Sequence, residues 1–242
     1  MSTYVLVHGA WHGEWCWEKI IPLLKQEGHR VITFDLPGHG KDPTPPSEVT
    51  LKDYTDRLCH VLDEEPEPVI LAGHSMGGIV ITQTAEYRPE KIKLLVYIVA
   101  FLPENGSSLA QLKKLEHEQN KDLPEPIIIM SEAGTSLKLK ESGITHAFYG
   151  ECSKTDVSKA KKRLCAQPLA PLITPVRITD HRFGKIPRVY IETLRDKAIS
   201  IQCQREMVAK SPCQKVLTMD TNHSPFFSQP EALVSHLINA DL

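Results

Sequence analysis

A short apolar strand that runs into a sharp, glycine-rich turn is the feature that most constrains the fold of this chain. Residues 69–71 are apolar and predict a buried strand, whereas residues 77–85 favour a helix. The pattern Gly-x-Ser-x-Gly lies between them, with Ser75 at its centre. Larger side chains at Gly73 and Gly77 would meet the neighbouring strand and helix, so these positions need small residues. The pattern predicts a strained turn that exposes the Ser75 hydroxyl, although an ordinary turn with an incidental serine is an alternative on this motif alone.

Strands and helices alternate along most of the remaining chain. Apolar runs predict five further strands, at residues 4–7, 31–34, 94–99, 188–192 and 216–219. Between the second and third strands, Thr50 and Asp53 have the spacing of a capping box before an amphipathic helix. Such alternation is typical of a parallel sheet that carries helices on both faces. The sequence therefore predicts an α/β fold with a mostly parallel, six-stranded sheet flanked by helices.

The alternation stops between residues 103 and 187. This stretch is rich in proline, glycine and lysine, and its one ambiguous strand signal is the apolar run at residues 127–130. It is too long for a bare loop, so we predict an inserted, mainly helical cap over the carboxyl edge of the sheet. Residues 1–102 and 188–242 would then form one core, which a chain of 242 residues with 41% hydrophobic residues can fill without a second full domain.

A serine at such a turn becomes a useful nucleophile only with partners from other strand ends. Its hydroxyl is weakly nucleophilic at neutral pH and needs an imidazole base, which a carboxylate must orient. His223, in the loop after the last strand, and Asp196, just after the fifth strand, would meet Ser75 at the carboxyl edge of a parallel sheet. We therefore predict a catalytic triad of these three residues. Asp220 is the main alternative for the acid, and Glu192 is a weaker one.

The loop after the first strand carries a second motif, His8-Gly9-Ala10-Trp11-His12-Gly13. An acyl-transfer site needs two backbone N–H groups that face the oxyanion, one from this loop and one from the residue after the serine. Ala10 and Met76 are the predicted donors. His74 is fixed within the sharp turn, so we expect it to line the pocket and not to act as the base. The predicted substrate-contacting residues are Trp11, His74, Phe101, Leu109, Leu123, Phe148 and Leu164.

The overall charge and the cysteine spacing argue against several other classes of function. The chain has 28 basic and 30 acidic residues, which gives a net charge of −2. This balance lacks the excess of positive charge that binding to nucleic acid or to an anionic membrane surface would require. A predicted strand at residue 4 leaves no room for a signal peptide and no apolar run reaches the length of a membrane span, so we expect a cytoplasmic protein. The six cysteines form no C-x-x-C pair, and no cluster has the spacing of metal ligands. We expect neither a metal nor an organic cofactor.

Together, these motifs resemble those of the α/β-hydrolase superfamily. Within it, the chain is similar to a group of small esterases that includes salicylate-binding methylesterases, pyrethroid-hydrolysing carboxylesterases and hydroxynitrile lyases. The resemblance covers nearly the whole chain and rests on the motifs at residues 7–13, 73–78, 196–199 and 222–225. It implies the α/β-hydrolase fold, the triad and oxyanion donors named above, a helical cap over the pocket, and often a homodimer.

Two departures from the lyase branch of this group favour an esterase. Hydroxynitrile lyases of this kind carry a threonine at the position of Gly9 and a lysine at the position of Ser224. A carbon–carbon lyase and a non-catalytic receptor for a small ligand remain alternatives on the same fold. An enclosed, mostly apolar pocket without an evident cation predicts neutral esters with a small to medium apolar or aromatic acid part. We therefore expect a serine carboxylesterase that forms an acyl-enzyme on Ser75.

Overall fold

The computed structural model describes residues 1–119 and 127–241. The strands of these residues are β1 (Thr3–Val7), β2 (Arg30–Thr33), β3 (Val69–His74), β4 (Ile92–Ile98), β5 (Ile128–Met130), β6 (Ser136–Leu139), β7 (Gln167–Pro168), β8 (Arg188–Thr193) and β9 (Lys215–Met219). The helices are α1 (Ile20–Gln26), α2 (Leu51–Asp63), α3 (Gly77–Tyr87), α4 (Leu109–Gln119), α5 (Glu141–Phe148), α6 (Lys154–Arg163), α7 (Ala170–Ile173), α8 (Ile201–Lys210), α9 (Pro225–Ser228) and α10 (Pro230–Ala240). Short 3₁₀ turns occupy Glu14–Trp17, Pro46–Glu48, Pro89–Lys91 and Phe183–Lys185.

The main sheet has six strands in the order β2-β1-β3-β4-β8-β9, and every pair is parallel. The predicted six-stranded α/β fold is confirmed. Since all six strands point the same way, the loops after β1, β3, β8 and β9 leave from one edge of the sheet. In an open parallel sheet this carboxyl edge is where ligands bind.

The sheet is buried on both faces because its central strand is apolar on both sides. Val69 and Leu71 of β3 pack in one apolar cluster, whereas Ile70 and Ala72 pack in another. Helices α2 and α3 contribute to the first cluster, and helices α1 and α10 to the second. This alternation at successive residues is what a strand between two layers of helices requires.

Helix α2 begins with the predicted capping box. The Thr50 side chain accepts a hydrogen bond from the Asp53 N–H, and the Asp53 carboxylate accepts one from the Thr50 N–H at 2.8 Å. Two N–H groups that the helix itself cannot satisfy are thereby paired. The cap fixes the start of the helix whose buried residues cover one face of the sheet.

The inserted segment (residues 103–187) lies between β4 and β8 and contains α4 to α7. It also contains an antiparallel sheet in the order β5-β6-β7, which the sequence does not predict apart from the ambiguous run that becomes β5. Strands of two to four residues give too little alternation to be recognised. Within residues 1–119 and 127–241, every helix is too short or too polar to cross a membrane.

Candidate active site

Ser75 lies on a strained turn between β3 and α3. Its φ is 52°, which is unusual for a residue other than glycine. The Ser75 N–H donates to the Ile98 carbonyl at 3.3 Å, and the Ser75 carbonyl accepts from the Phe101 N–H at 3.0 Å. These bonds to the end of β4 hold the turn in its conformation. The serine points into a cavity and is 8% exposed.

The two glycines that flank the turn have no room for a side chain. A Cβ atom on Gly73 would lie 2.7 Å from the carbonyl oxygen of Gly77. A Cβ atom on Gly77 would lie 2.8 Å from the carbonyl oxygen of Val7, on the neighbouring strand. Both distances are shorter than any van der Waals contact, so the predicted need for small residues at these positions is confirmed.

The structure brings Ser75, His223 and Asp196 into one hydrogen-bonded chain. His223 Nε2 lies 3.0 Å from Ser75 Oγ, and His223 Nδ1 lies 2.6 Å from Asp196 Oδ2. The other carboxylate oxygen, Asp196 Oδ1, accepts from the N–H groups of Ala198 and Ile199 at 2.6 and 3.0 Å. The Asp196 side chain is 0% exposed. This arrangement allows the imidazole to accept the serine proton while the carboxylate holds its Nδ1–H.

The two alternative acids have other partners. The Asp220 side chain is 70% exposed and pairs with Arg195 at 3.0 Å. Glu192 forms a bidentate ion pair with Arg205, at 2.9 and 3.0 Å, and also accepts a hydrogen bond from the Thr218 hydroxyl. Neither carboxylate hydrogen-bonds to the His223 ring, whose Nδ1 is taken by Asp196.

Ala10 and Met76 lie beside Ser75 at the cavity wall. Both residues are buried, and within the described residues neither backbone N–H donates a hydrogen bond. A buried N–H without a partner is costly, and sites that bind an oxyanion are one place where it persists. The two groups are therefore available to a substrate oxygen.

The peptide that carries the Ala10 N–H is held by His8. The Leu36 N–H donates to His8 Nε2 at 3.0 Å, so His8 carries its proton on Nδ1 and donates it to the Gly9 carbonyl at 2.9 Å. Burial and the nearby His39 lower the pKa of His8 well below its ordinary value, so the ring is neutral. Because a peptide unit is planar, fixing the Gly9 carbonyl also fixes the Ala10 N–H on the opposite side.

His74 does not line the cavity, and the prediction that it contacts substrate is wrong. Its ring is completely buried behind His223, and its Nε2–H donates to the His223 carbonyl at 2.8 Å. Burial and the neighbouring His223 lower the pKa of His74 well below its ordinary value, which keeps it neutral. His74 thus holds the loop that carries His223.

A cavity of about 360 Å³ opens beside Ser75. Of the predicted contact residues, Trp11, Phe101, Leu109 and Phe148 line it. Leu164 does not line the cavity; it packs against the apolar cluster on the α1 and α10 side of the sheet, to which Phe148 also belongs. Leu123 lies outside the described residues. The inserted segment supplies most of the remaining lining, including Leu137 and Leu172.

The expectation that the cavity lacks a cationic side chain is wrong, since Lys113 and Lys197 line it, together with the imidazole rings of His117 and His146. Lys113 is already paired, because its Nζ donates to Glu116 at 2.5 Å and to the Ala198 carbonyl at 2.9 Å. His146 and Lys197 are exposed to solvent. The sequence does carry a signal for two of these residues: Leu109, Lys113 and His117 follow at intervals of four and share one face of α4.

The buried histidines make stability sensitive to mild acid. Burial lowers the pKa of His12 to about 4, from an ordinary value of 6.5. Below pH 6.5 the unfolded chain therefore binds a proton that the folded protein excludes until about pH 4, so the free energy of unfolding falls as the pH falls. His12 alone should therefore cost about 2 kcal/mol of stability between pH 7 and pH 5.

Urea unfolding at pH 7, 6 and 5 measures this loss. Besides His12, the pKa values of His8 and His74 are also held well below the ordinary value, so the total loss should exceed that of one histidine. The His12→Asn variant should lose less stability than the wild type over the same pH interval. Equal or greater stability at pH 5 than at pH 7 would contradict the assignment of neutral buried rings.

The six cysteines are free thiols, three of them buried. Among the described residues, no group of three or more His, Cys, Asp or Glu side chains could hold a metal ion. The chemistry that these residues place at the cavity is that of a serine, an imidazole, a carboxylate and backbone amides.

Comparison with known proteins gives a consistent family. Residues 4–236 match the alpha/beta hydrolase family. The chain is 34% identical to putative methylesterase 11, chloroplastic, of Arabidopsis thaliana, over 96% of this chain but only 62% of that protein. It is 31% identical to methylesterase 9 of Arabidopsis thaliana, over 98% of this chain and 97% of that one.

A solved structure agrees with these sequence matches. The crystal structure of a pyrethroid hydrolase from Sphingobium faniae superposes with a TM-score of 0.87 and 29% identity, and the match covers 99% of this chain and 97% of that one. Since the family match covers nearly the whole chain, including the turn at Ser75, this chain belongs to the alpha/beta hydrolase family.

Proposed function

We propose that the protein is a serine carboxylesterase. The main support for this proposal is the chain of hydrogen bonds from Asp196 through His223 to Ser75. Ser75 lines the same cavity as Ala10 and Met76, whose N–H groups donate no hydrogen bond within the part of the chain that the structure describes. These are the parts that acyl transfer from an ester requires. The names of the methylesterase relatives support the same class of reaction.

In the first half of the reaction, Ser75 Oγ attacks the ester carbonyl carbon while His223 Nε2 takes the hydroxyl proton. Negative charge develops on the carbonyl oxygen, where the N–H groups of Ala10 and Met76 stabilise it. His223 then gives its Nε2 proton to the departing alkoxide, which leaves as the alcohol. The acid part of the substrate stays bound to Ser75 as an acyl-enzyme.

Water completes the reaction. His223 Nε2 accepts a proton from a water molecule as the water oxygen attacks the acyl carbon. The tetrahedral species uses the same two N–H groups, and its collapse breaks the bond to Ser75 Oγ. The proton held by His223 returns to Ser75, and the carboxylic acid is released. Asp196 keeps the imidazole in the productive tautomer through both halves.

The cavity supports small to medium esters with an apolar or aromatic acid part. Its volume lies at the lower end of the range for small-molecule sites, and its lining includes apolar side chains such as Met76, Phe101 and Leu172. Burying hydrocarbon there contributes about 25 cal/mol per Å². An uncharged group should therefore occupy the interior, while the exposed His146 and Lys197 belong to the solvent side of the lining.

The space around Gly9 supports an esterase over a hydroxynitrile lyase. A Cβ atom on Gly9 would lie 2.9 Å from both Ser75 Cβ and His74 Nδ1. The threonine of the lyases could not occupy this backbone position without a shift of the turn. Ser224, where the lyases carry lysine, is completely buried and has no cationic group to offer a leaving cyanide.

The size of the cavity leads to a prediction about acyl preference. We expect kcat/KM for p-nitrophenyl butyrate and for methyl benzoate-type esters to exceed that for the palmitate ester by about tenfold or more, because a long chain cannot be enclosed. Initial rates with monomeric substrate measure this order. Preferred cleavage of palmitate, or a sharp rise of activity at an oil–water interface, would mean that the inserted segment acts as a lipase-type lid.

Two substitutions on α4 test whether this cavity holds the acyl group of the substrate. Leu109→Trp places a large ring in the cavity and should lower kcat/KM for the benzoate-type ester more than for the acetate ester. Leu115 is on the same helix, is 43% exposed and does not line the cavity. Leu115→Trp should therefore leave the ratio of the two rates unchanged. Equal effects of the two variants would show that this cavity is not the acyl site.

A further inference from the structure

The loop that carries Ala10 is held in a strained conformation by hydrogen bonds with another part of the chain. Trp11 has a φ of 62°, which a bulky residue adopts only when its surroundings impose it. Its indole N–H donates to the Leu137 carbonyl at 3.0 Å, and its own carbonyl accepts from the Cys165 N–H at 3.0 Å. Both partners belong to the inserted segment. The oxyanion loop of the core is thus shaped by the segment that covers it.

A third link from the inserted segment reaches Ala10 itself. Tyr149, directly after α5, places its hydroxyl oxygen 2.6 Å from His12 Nε2. The opposite ring nitrogen, His12 Nδ1, lies 2.8 Å from the Ala10 carbonyl oxygen. Tyr149 is completely buried and His12 nearly so, and Trp15 stacks on the His12 ring with centroids 5.2 Å apart. The ring therefore has little freedom to turn.

The direction of each proton in this link follows from its partners. A carbonyl oxygen can only accept, so His12 must carry its proton on Nδ1 to bond Ala10. Burial lowers the pKa of His12 to about 4 and raises the pKa of Tyr149 well above its ordinary value, so both groups are neutral. The phenol O–H then donates to His12 Nε2. This bond selects the tautomer that holds the Ala10 carbonyl.

We propose that Tyr149 is a positioning residue, which acts through His12 to hold Ala10 where its N–H can meet the oxyanion. His8 fixes the peptide before Ala10, and His12 fixes the peptide after it. Loss of the Tyr149 hydroxyl frees His12 to change tautomer, and the strained loop can then relax. This inference rests on the proposed esterase function, because the orientation of the Ala10 N–H affects the rate only when an oxyanion forms.

The Tyr149→Phe variant removes the hydroxyl and keeps the ring. Removal of one oxyanion donor lowers kcat by about 10²–10³-fold. A donor that is present but poorly oriented should have a smaller effect, so we expect kcat to fall by about tenfold and KM to change by less than about twofold. The inhibition constant of an alkyl trifluoromethyl ketone, which binds Ser75 as an oxyanion, should rise by the same factor as kcat falls. The matching methyl ketone, which forms no stable oxyanion, should bind as in the wild type.

Tyr97→Phe is the matched control. Tyr97 is also completely buried, and its hydroxyl lies 2.7 Å from Thr82 Oγ1, with no hydrogen bond to the oxyanion loop among the described residues. Its loss tests for a general effect of removing a buried phenol hydroxyl. If Tyr97→Phe lowers kcat as much as Tyr149→Phe, or if Tyr149→Phe weakens both ketones equally, the positioning role is refuted.

His12→Asn provides a second variant that does not depend on Tyr149. An asparagine amide N–H can replace His12 Nδ1–H toward the Ala10 carbonyl without a partner on its other side. We expect His12→Asn to retain kcat better than His12→Ala. In the His12→Asn background, Tyr149→Phe should cause no further loss. Additive losses in the double variant would show that Tyr149 acts by another route.

Hydrogen exchange of the backbone at residues 8–13 separates this inference from the proposed function. Exchange there should be several-fold faster in Tyr149→Phe than in the wild type or Tyr97→Phe. If the wild type hydrolyses no ester but this exchange still rises, the proposed function fails and the link from Tyr149 to the loop stands. If esters are hydrolysed and Tyr149→Phe changes neither kcat nor exchange, the inference fails alone.

Discussion

Replacing Ser75 with alanine should lower kcat for p-nitrophenyl butyrate by about 10⁶-fold, the cost of removing the nucleophile from a serine triad. The substitution deletes one oxygen from a site whose remaining parts keep their contacts, such as the bond between His223 and Asp196. Substrate can still bind, but no acyl-enzyme can form. Rapid-quench measurement of alcohol release should show an initial burst in the wild type when deacylation is slow, and none in the variant.

A fluorophosphonate probe tests the same assignment by covalent labelling. It should add one phosphonyl group to Ser75 and abolish activity, and mass spectrometry of the digested protein identifies the site. Ser224→Ala is the matched control, because Ser224 is also buried and adjoins His223, but its hydroxyl has no hydrogen-bond partner among the described residues. This variant should label and hydrolyse as the wild type does. Loss of activity with the label on another residue would refute the nucleophile.

Most of the core can be predicted because its signals are local and repeat. Apolar runs bounded by glycine and proline predict the six strands of the main sheet, and their alternation with helices predicts the parallel topology. Once the strands are parallel, Ser75, Asp196 and His223 must leave from the same edge. Their contacts therefore follow from the order of elements, although Ser75 and His223 are 148 positions apart along the chain.

The residues around the cavity are harder to predict, since their placement depends on packing at long range. His74 and Ser75 are neighbours, yet Ser75 lines the cavity whereas the His74 ring is buried and bonds the His223 carbonyl. Leu164 has the same apolar character as Leu109, but only Leu109 lines the cavity. No pattern of period two or 3.6 distinguishes these cases. The short strands of the inserted segment escape prediction for the same reason.

The buried polar groups of the site also combine local motifs, which the sequence reveals, with distant partners, which it does not. His8 and His12 belong to a motif that the sequence marks as an oxyanion loop, but their partners Leu36 and Tyr149 are distant along the chain. A buried histidine has two ring nitrogens to satisfy, and sequence alone does not give the second partner. The structure supplies both partners in each case, which is why the tautomers can be assigned only with coordinates.

Asp196→Asn should lower kcat by about 10⁴-fold while the fold is retained, because the substitution reverses the His223 tautomer. Asp196 Oδ1 accepts from two backbone N–H groups, at 2.6 and 3.0 Å, so an asparagine must keep its carbonyl oxygen there. Its NH₂ group then faces His223 Nδ1, which can only accept. The proton of His223 moves to Nε2 and points at Ser75 Oγ. A protonated Nε2 has no free lone pair, so it cannot accept the serine proton.

The comparison with Asp220→Asn decides which carboxylate is the acid of the triad. Asp220 is largely exposed and pairs with Arg195, so its substitution removes a surface ion pair, which contributes about 1 kcal/mol or less to stability, and should leave kcat near the wild-type value. Thermal unfolding of both variants checks that neither loses its fold. In Asp196→Asn the imidazole can no longer act as the base, so hydroxide must take the serine proton and the residual activity should rise with hydroxide concentration. A large loss in Asp220→Asn with little loss in Asp196→Asn would transfer the role to Asp220 and break the proposed chain from carboxylate to serine.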